Sequence, residues 1–266
     1  MSEVRKAIIP AAGKGTRMKP VSQVLPKELL PIGTRPMIQF AVEEAIEGNV
    51  KEIAVVINER KELIRDYLKQ LISDEPFDRV CFHFFYQKEA KGLADAIDQC
   101  REFIQGEPFA LLLPDNVILS SDYRFSSMVE LYRQTGRDVV GVIELAAEQS
   151  GLYGNAGRID SESLKSGVLE IKRLYGKSKG TLRVAPGEKI RRTCGRYVCH
   201  PDLFDYIDLI RPQVREEFDE VPVYQEIIRQ KGALGYLIPA PLFDTGNPRG
   251  YLAASAYLYE IRDCSG

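Results

Sequence analysis

Residues 7–31, AIIPAAGKGTRMKPVSQVLPKELLP, carry an apolar strand into a glycine turn followed by fixed positive charge, and that combination is suited to holding a polyphosphate. Gly13 and Gly15 can adopt backbone angles closed to other residues and put no Cβ in the way, so successive N–H groups can close on phosphate oxygens. Arg17 and Lys27 supply charge beside that cradle, and Thr16 sits between the second glycine and Arg17. The turn is not a Walker loop, because no Gly-Lys-Ser/Thr closes it. Met18 stands where the third glycine of a dinucleotide fingerprint would be. A bare Gly-x-Gly would read as a tight turn with solvated cations; Thr-Arg, Pro20 and the later Pro-Lys favour the phosphate reading.

Two carboxylates follow apolar segments. Asp115 follows FALLLP and so belongs at the carboxyl end of a buried strand, where open α/β sheets place ligands; Asp244 follows LGYLIPAPLF and precedes Thr-Gly-Asn. Either alone is a common turn former or helix cap. Brought together by the fold, they would suffice for Mg²⁺, which takes one or two carboxylates and fills its remaining positions with substrate phosphates and water. Gln87 offers an amide that can both donate and accept, which suits a uracil or thymine edge, although a solvated amide at a strand end has the same sequence appearance.

The elements that must position these groups alternate along the chain. Apolar runs at 7–12, 52–57, 80–86, 109–113 and 138–145 read as strands, and 36–47, 61–71, 92–103, 126–135 and 250–260 as helices, the pattern of a parallel sheet covered on both faces. In the first helix Met37, Ala41 and Ala45 lie beside Ile38, Val42 and Ile46, an apolar stripe that belongs to the core. The glycines of 151–157 mark a seam between a nucleotide-binding half, 1–150, and an acceptor-binding half, 151–266, of one domain.

With 266 residues, a formal charge of −2, five cysteines without metal-ligand spacing and no amino-terminal apolar segment, the chain suits a reducing cytoplasm. It has no global attraction for nucleic acid and no expected membrane partner. Two histidines, His83 and His200, leave little material for a zinc site or a histidine triad.

The glycine-loop signature resembles that of the sugar-1-phosphate nucleotidyltransferases, Gly-x-Gly-Thr-Arg, Pro and Pro-Lys-x-Leu-Leu-Pro, and is most similar to the UTP–glucose-1-phosphate uridylyltransferases. Resemblance continues through RPMIQF (35–40), QKEAKGLADAI (87–97), LLLPDN (111–116), CGRYV (194–198) and FDTGNPRGYLAA (243–254). It implies a Rossmann-like three-layer sandwich with a mostly parallel mixed central sheet, and transfer of a nucleotidyl group from a pyrimidine NTP, UTP first, to a sugar 1-phosphate such as glucose 1-phosphate. It further implies that Arg17 and Lys27 handle the triphosphate and that Asp115 and Asp244 hold catalytic Mg²⁺. Ala11, Ala12 and Gly13 would lie against base and ribose, with Gly15 and Thr16 completing the nucleotide loop; Gln87 and Gly92 would contact the pyrimidine, and Gly195 would lie on the acceptor side. A homo-oligomer is compatible with the resemblance.

The chain departs from the family where the acceptor should bind. With Val168 and Ile171 aligned to the family strand, Arg173 and Leu174 in EIKRLYGKSKG stand in place of the Glu and Lys of the family's Glu-Lys-Pro, which would remove an acceptor for sugar hydroxyls and a cation for the sugar's phosphate. Asp219, Glu220, Val221 and Pro222 likewise replace an acidic Gly-Asp-Glu stretch. Lys177 and Lys179 are the candidates for a displaced phosphate contact, against the plainer reading of a solvated basic loop. Two alternatives therefore stay open: a cytidylyl- or thymidylyltransferase acting on another phosphorylated acceptor, and an inactive nucleotide-sugar-binding regulator.

Overall fold

The computed structural model describes residues 3–153, 157–176, 184–215 and 217–263. β1 (Lys6–Pro10) is buried along its first four residues, as a strand covered on both faces must be. Beyond the glycine loop, β2 (Pro31–Ile32) and β3 (Arg35–Pro36) form a small hairpin that delivers the chain to α1 (Met37–Glu47). β4 (Glu52–Ile57), α2 (Glu62–Leu71) and β5 (Cys81–Tyr86) follow within a few residues of the expected boundaries. The helix expected at 92–103 is instead two, α3 (Leu93–Asp98) and α4 (Arg101–Ile104). They part where the Cys100 N–H donates to the Ile97 carbonyl at 2.9 Å, a three-residue spacing that tightens the turn. β6 (Phe109–Leu112), β7 (Asn116–Ile118), α5 (Phe125–Thr135) and β8 (Val139–Ala146) complete the described part of the first 153 residues.

The remainder supplies β9 (Arg158–Lys165), β10 (Val168–Leu174), the long β11 (Lys189–Cys199), α6 (Leu203–Ile210), α7 (Glu220–Gln230), β12 (Ala233–Leu237), β13 (Leu242–Asp244) and α8 (Pro248–Asp263). Among the described residues nine strands form one sheet in the order β5-β4-β1-β6-β11-β8-β12-β10-β9. β5, β4, β1 and β6 are parallel, β11 is antiparallel to both neighbours, β8 and β12 are parallel, and β10 and β9 continue antiparallel. β9 also pairs with β11 through Ile159 and Arg158, so the far part of the sheet curls back on itself.

Alternation along β1 sorts the core. Ala7 and Ile9 face a cluster that includes residues of α1, α2 and α5, and Ile8 faces one that includes residues of α3, α4, α6 and α7. The architecture is therefore an α/β, Rossmann-like sandwich, a mixed sheet between two helical layers. A third cluster, with Met18, Met37, Phe40, Val117, Phe243 and Ala254, seats the glycine loop and α8 against the β7–β13 pair. β4 lies on one side of β1 and β6 on the other, which makes the gap beyond Pro10 and Leu112 a topological switch point, the place where open α/β sheets bind ligands.

Candidate active site

At that switch point the glycine loop is built as a rigid turn. Gly15 has φ 64°, its carbonyl accepts from the Met18 N–H at 2.9 Å and from the Ser22 hydroxyl at 2.8 Å, and residues 16–18 form a single tight turn. Met18 is buried, so the side chain that breaks the dinucleotide fingerprint is the anchor that holds the turn down. Ala11 and Ala12 are fixed from β4's side: the Ala11 N–H donates to the Val56 carbonyl, Asn58 donates to the Ala12 carbonyl, and Lys61 donates to the Ala11 carbonyl at 2.7 Å. Lys61 also meets both oxygens of Glu28, which is 1% exposed, so the buried pair ties the loop after Lys27 to the end of β1. Burial pulls the Lys61 ammonium below its ordinary pKa despite Glu28.

The two predicted carboxylates are brought together. Asp244 is in register with Asn116 across the β13–β7 pair, and the Thr245 N–H and hydroxyl both donate to the Asp115 carbonyl, at 2.8 and 3.0 Å. Each carboxylate has a cation: Lys27 Nζ lies 2.5 Å from Asp115 Oδ2, and an Arg17 guanidinium nitrogen 3.7 Å from Asp244 Oδ2. Burial pushes the Asp115 carboxyl up, but the Lys27 ammonium, with Arg17 behind it, more than offsets this and holds it at about 2. Lys27 is itself pulled down by burial and carried above its ordinary value by Asp115 and Glu28. Gly246 keeps the centre open, since a Cβ there would lie 2.7 Å from Asp115 Oδ2 and 2.8 Å from Arg17.

Arg196, which the sequence reading did not single out, holds this arrangement from beneath. Its buried guanidinium takes the Glu44 carboxylate in a fork at 2.6 and 2.7 Å and donates to the carbonyls of Leu113 and Asn116, on either side of Asp115, at 2.7 and 2.6 Å. Gly195 makes that approach feasible: it has φ 71°, and a Cβ there would lie 2.8 Å from Leu113 and 3.0 Å from the Asn116 amide. The expected acceptor-side glycine does line the cleft, and it also lets β11 pass close beneath the Asp115 loop.

Gln87 lines the same cleft, but its amide is oriented differently from the two-way contact expected of it. Both amide hydrogens are committed, to the Gly92 carbonyl at 3.1 Å and to Asp95 at 2.8 Å, so the side chain can only accept through Oε1. Arg211 pairs with Asp95 at 3.2 Å and with Asp98 at 2.7 Å, backing the orientation. Gly92, at φ 109°, packs so tightly that a Cβ would sit 2.3 Å from the Phe218 carbonyl oxygen; this is a backbone requirement that the sequence could show only as a glycine.

The cleft, of about 530 Å³, brings Ala12, Gly13, Arg17, Lys27, Gln87, Gly92, Asp115, Gly195 and Asp244 together. Ala11 lies under it as core, and Gly15 and Thr16 lie in the adjoining turn, Thr16 facing a neighbouring groove. Arg173 and Leu174 do not line it, and Lys177 and Lys179 lie outside the described residues. Arg192, Thr193 and Tyr197 of β11 and Glu217, Asp219 and Glu220 also line the cleft, and of these only Asp219 and Glu220 are singled out by the sequence. Among the described residues no set of three or more His, Cys, Asp or Glu could hold a metal by itself, and no helix is long and apolar enough to cross a membrane.

A glycine loop at the switch point of a mixed α/β sheet, with paired carboxylates and cations at its mouth, defines a nucleotide-handling fold of the transferase type. The chain belongs to the nucleotidyl transferase family, which it matches over residues 6–260. It is similar to the UTP–glucose-1-phosphate uridylyltransferase of Staphylococcus haemolyticus (strain JCSC1435), with 31% identity over 99% of this chain and 94% of that protein. UTP–glucose-1-phosphate uridylyltransferase 2 of Staphylococcus saprophyticus is 31% identical over the same shares, 99% and 94%. Among solved structures the chain is similar to a UDP-glucose pyrophosphorylase complexed with UDP-glucose, at a TM-score of 0.84 and 30% identity, covering 97% of this chain and 99% of that one.

Proposed function

We propose that the protein transfers the uridylyl group of UTP to a sugar 1-phosphate, glucose 1-phosphate first, releasing pyrophosphate. The observation that carries this is the charge arrangement at the mouth of the glycine loop, Lys27 on Asp115 at 2.5 Å and Arg17 near Asp244 at 3.7 Å. A phosphate oxygen of the acceptor attacks the α-phosphorus; a new P–O bond forms, the α–β bridging bond breaks, and its electron pair leaves with pyrophosphate. The nucleophile is already an anion, so no protein base is called for, and the protein's task is to place and neutralise charge. Arg17 grips the triphosphate as a fork, and Lys27 exchanges Asp115 for phosphate oxygens.

The donors fit Mg²⁺: the set is oxygen-only, and Asn116 Oδ1, next to Asp115, is buried without a hydrogen-bond partner. Asp115 and Asp244 would hold the ion, which would neutralise phosphate charge and polarise the α-phosphoryl group.

Base selection follows from Gln87. An acceptor-only Oε1 suits the N3–H of uracil or thymine and opposes the unprotonated N3 of cytosine. In a pyrophosphate-release screen of common NTPs against sugar 1-phosphates, UTP with glucose 1-phosphate should lead. CTP should fall behind by about tenfold or more, the scale of one mismatched hydrogen bond. Asp95→Asn should narrow the UTP-to-CTP ratio by freeing the Gln87 amide to turn over. A screen with no turnover of any sugar 1-phosphate would remove the reaction, and CTP equal to UTP in the unaltered protein would remove the Gln87 argument.

The pH dependence has a defined sign. Asp115 is held below its ordinary value, so its contribution to folding stability is fully present above about pH 4 and is lost as pH falls through about 2. Lys27 is held above its ordinary value and stays charged through neutrality. The titrating group in the working range is then the acceptor's phosphate, with a second pKa of about 6. Initial rates at subsaturating acceptor should rise about tenfold per pH unit below about pH 6 and level off above it. A rate still climbing through about pH 8 would instead indicate a base on the protein.

A further inference from the structure

We propose that Lys61 is a positioning residue of the nucleotide site, one buried ammonium that sets both the backbone donors of the glycine loop and the Lys27 side chain; this rests on the uridylyl-transfer reading above. Lys61 is 8% exposed and does not line the cleft, so it acts through what it holds. Its own place is fixed locally. After β4 the Asn58 side chain accepts from the Arg60 N–H at 3.0 Å and the Asn58 carbonyl from the Lys61 N–H at 2.9 Å, which closes the tight turn Glu59–Lys61.

One hold is on the glycine loop. Lys61 Nζ donates to the Ala11 carbonyl at 2.7 Å, and the Asn58 amide to the Ala12 carbonyl at 2.8 Å. In a planar trans peptide the N–H points opposite to the C=O, so drawing these two carbonyls toward the turn directs the Ala12 and Gly13 N–H groups away from it. Neither N–H has an acceptor among the described residues, although Ala12 is only 3% exposed, and both residues line the cleft. A buried donor left open is costly until a ligand fills it, and two successive donors match the oxygens of a phosphate.

The other hold is on Lys27. Both Glu28 oxygens accept from Lys61, at 2.9 and 2.8 Å, and Glu28 follows Lys27 within the tight turn Lys27–Leu29. While Lys27 Nζ is on Asp115, that contact also places it. Once Lys27 gives up Asp115 for phosphate oxygens the contact is gone, and the placement of its backbone falls to the neighbouring Glu28 and hence to Lys61. Two segments that meet the same triphosphate are thereby held at a set spacing by one ammonium. An apolar side chain could fill that space, but it could not draw a carbonyl and a carboxylate to one point.

The test compares the unaltered chain, Lys61→Met and the double variant Glu28→Met with Lys61→Met, in initial-rate kinetics with UTP and glucose 1-phosphate and in thermal melts. Lys61→Met leaves a lone buried carboxylate and should melt earlier; the double variant replaces the pair by apolar groups of similar volume and should regain most of that loss. Function should not follow stability. In both variants KM for UTP should be raised about tenfold or more, the scale of a lost hydrogen bond to a charged group, with KM for glucose 1-phosphate at saturating UTP within about twofold. KM does not depend on the folded fraction, so the split is read whatever the melts show. If the Met variants fail to fold, Lys61→Arg, which keeps the charge but displaces the nitrogen that meets Ala11, is read in their place and should show the same split. An unaltered KM for UTP, or an equal rise in both KM values, would overturn the positioning role while leaving the reaction standing. Without turnover in the unaltered protein the reaction falls, and calorimetric UTP affinity of the same variants, lowered about tenfold or unaltered, then decides Lys61 by itself.

Discussion

Asp244→Asn and Asp115→Asn are each expected to lower kcat by about a hundredfold or more while the fold survives, the scale of a lost electrostatic contact to a transition state. The expectation of survival comes from the backbone: Asp244 is placed by its register with Asn116, and Asp115 by the two bonds from Thr245 to its carbonyl, none of which uses a carboxylate. The two variants should nevertheless differ. Arg17 is half exposed, its side chain retaining 52% of its accessible surface, so losing Asp244 costs it little; Lys27 retains 12% and would be left as a buried charge beside an amide. Asp115→Asn should therefore also lower the thermal midpoint, and Asp244→Asn should separate the catalytic effect more cleanly. Saturating-substrate rates with Mg²⁺, set beside thermal melts, decide it: near-unaltered rates in both variants would end the metal assignment.

Arg196→Met is expected to cost about 3–5 kcal/mol of stability, the penalty for leaving one partner of a buried ion pair alone, here Glu44. Any folded fraction should also turn over slowly, because the Leu113 and Asn116 carbonyls on either side of Asp115 lose their donor. Arg196→Lys should recover only part of both, since a point charge cannot span a carboxylate and two carbonyls at once. Urea unfolding gives the first quantity, and kcat at low denaturant the second. If the Lys variant matches the unaltered protein in both, Arg196 is not what positions Asp115.

The legible parts of this molecule are those whose physics is local. A strand that must be covered on both faces has to be apolar, which is why 52–57 could be read to the residue; a turn at φ 64° asks for glycine, which is why Gly15 was visible. Asp115 stands out because it directly follows an apolar run, at the carboxyl end of a buried strand, although a turn-forming Asp has the same sequence appearance. Arg196 and Arg192 were not, because their surroundings are made by β11 pairing with β6, β8 and β9, strands distant in sequence. Within CGRYV the arginine offered only one signal, a charge inside an otherwise apolar strand, and burial of that charge becomes evident only when Glu44 arrives from α1. Gln87 shows the same limit on a smaller scale: its residue type suggested a two-way contact, and Asp95, one turn into the next helix, removes half of it.

β11 has a bearing on which acceptors the cleft can admit. Arg196, beneath the Asp115 loop, and Arg192, which lines the cleft, belong to one strand, with its register shift between Thr193 and Tyr197. Their backbone separation cannot exceed about 13 Å, the reach of four fully extended residues, and the left-handed turn at Gly195 shortens it. No swing of one part of the fold against another alters it without opening the ladders to β6 and β8. The strand thus acts as a caliper, gauging a molecule from its reacting phosphate outward. A protein of this design would adapt to a bulkier acceptor by trimming Glu217, Asp219 and Glu220, which line the cleft from outside that strand, leaving the graduated edge untouched.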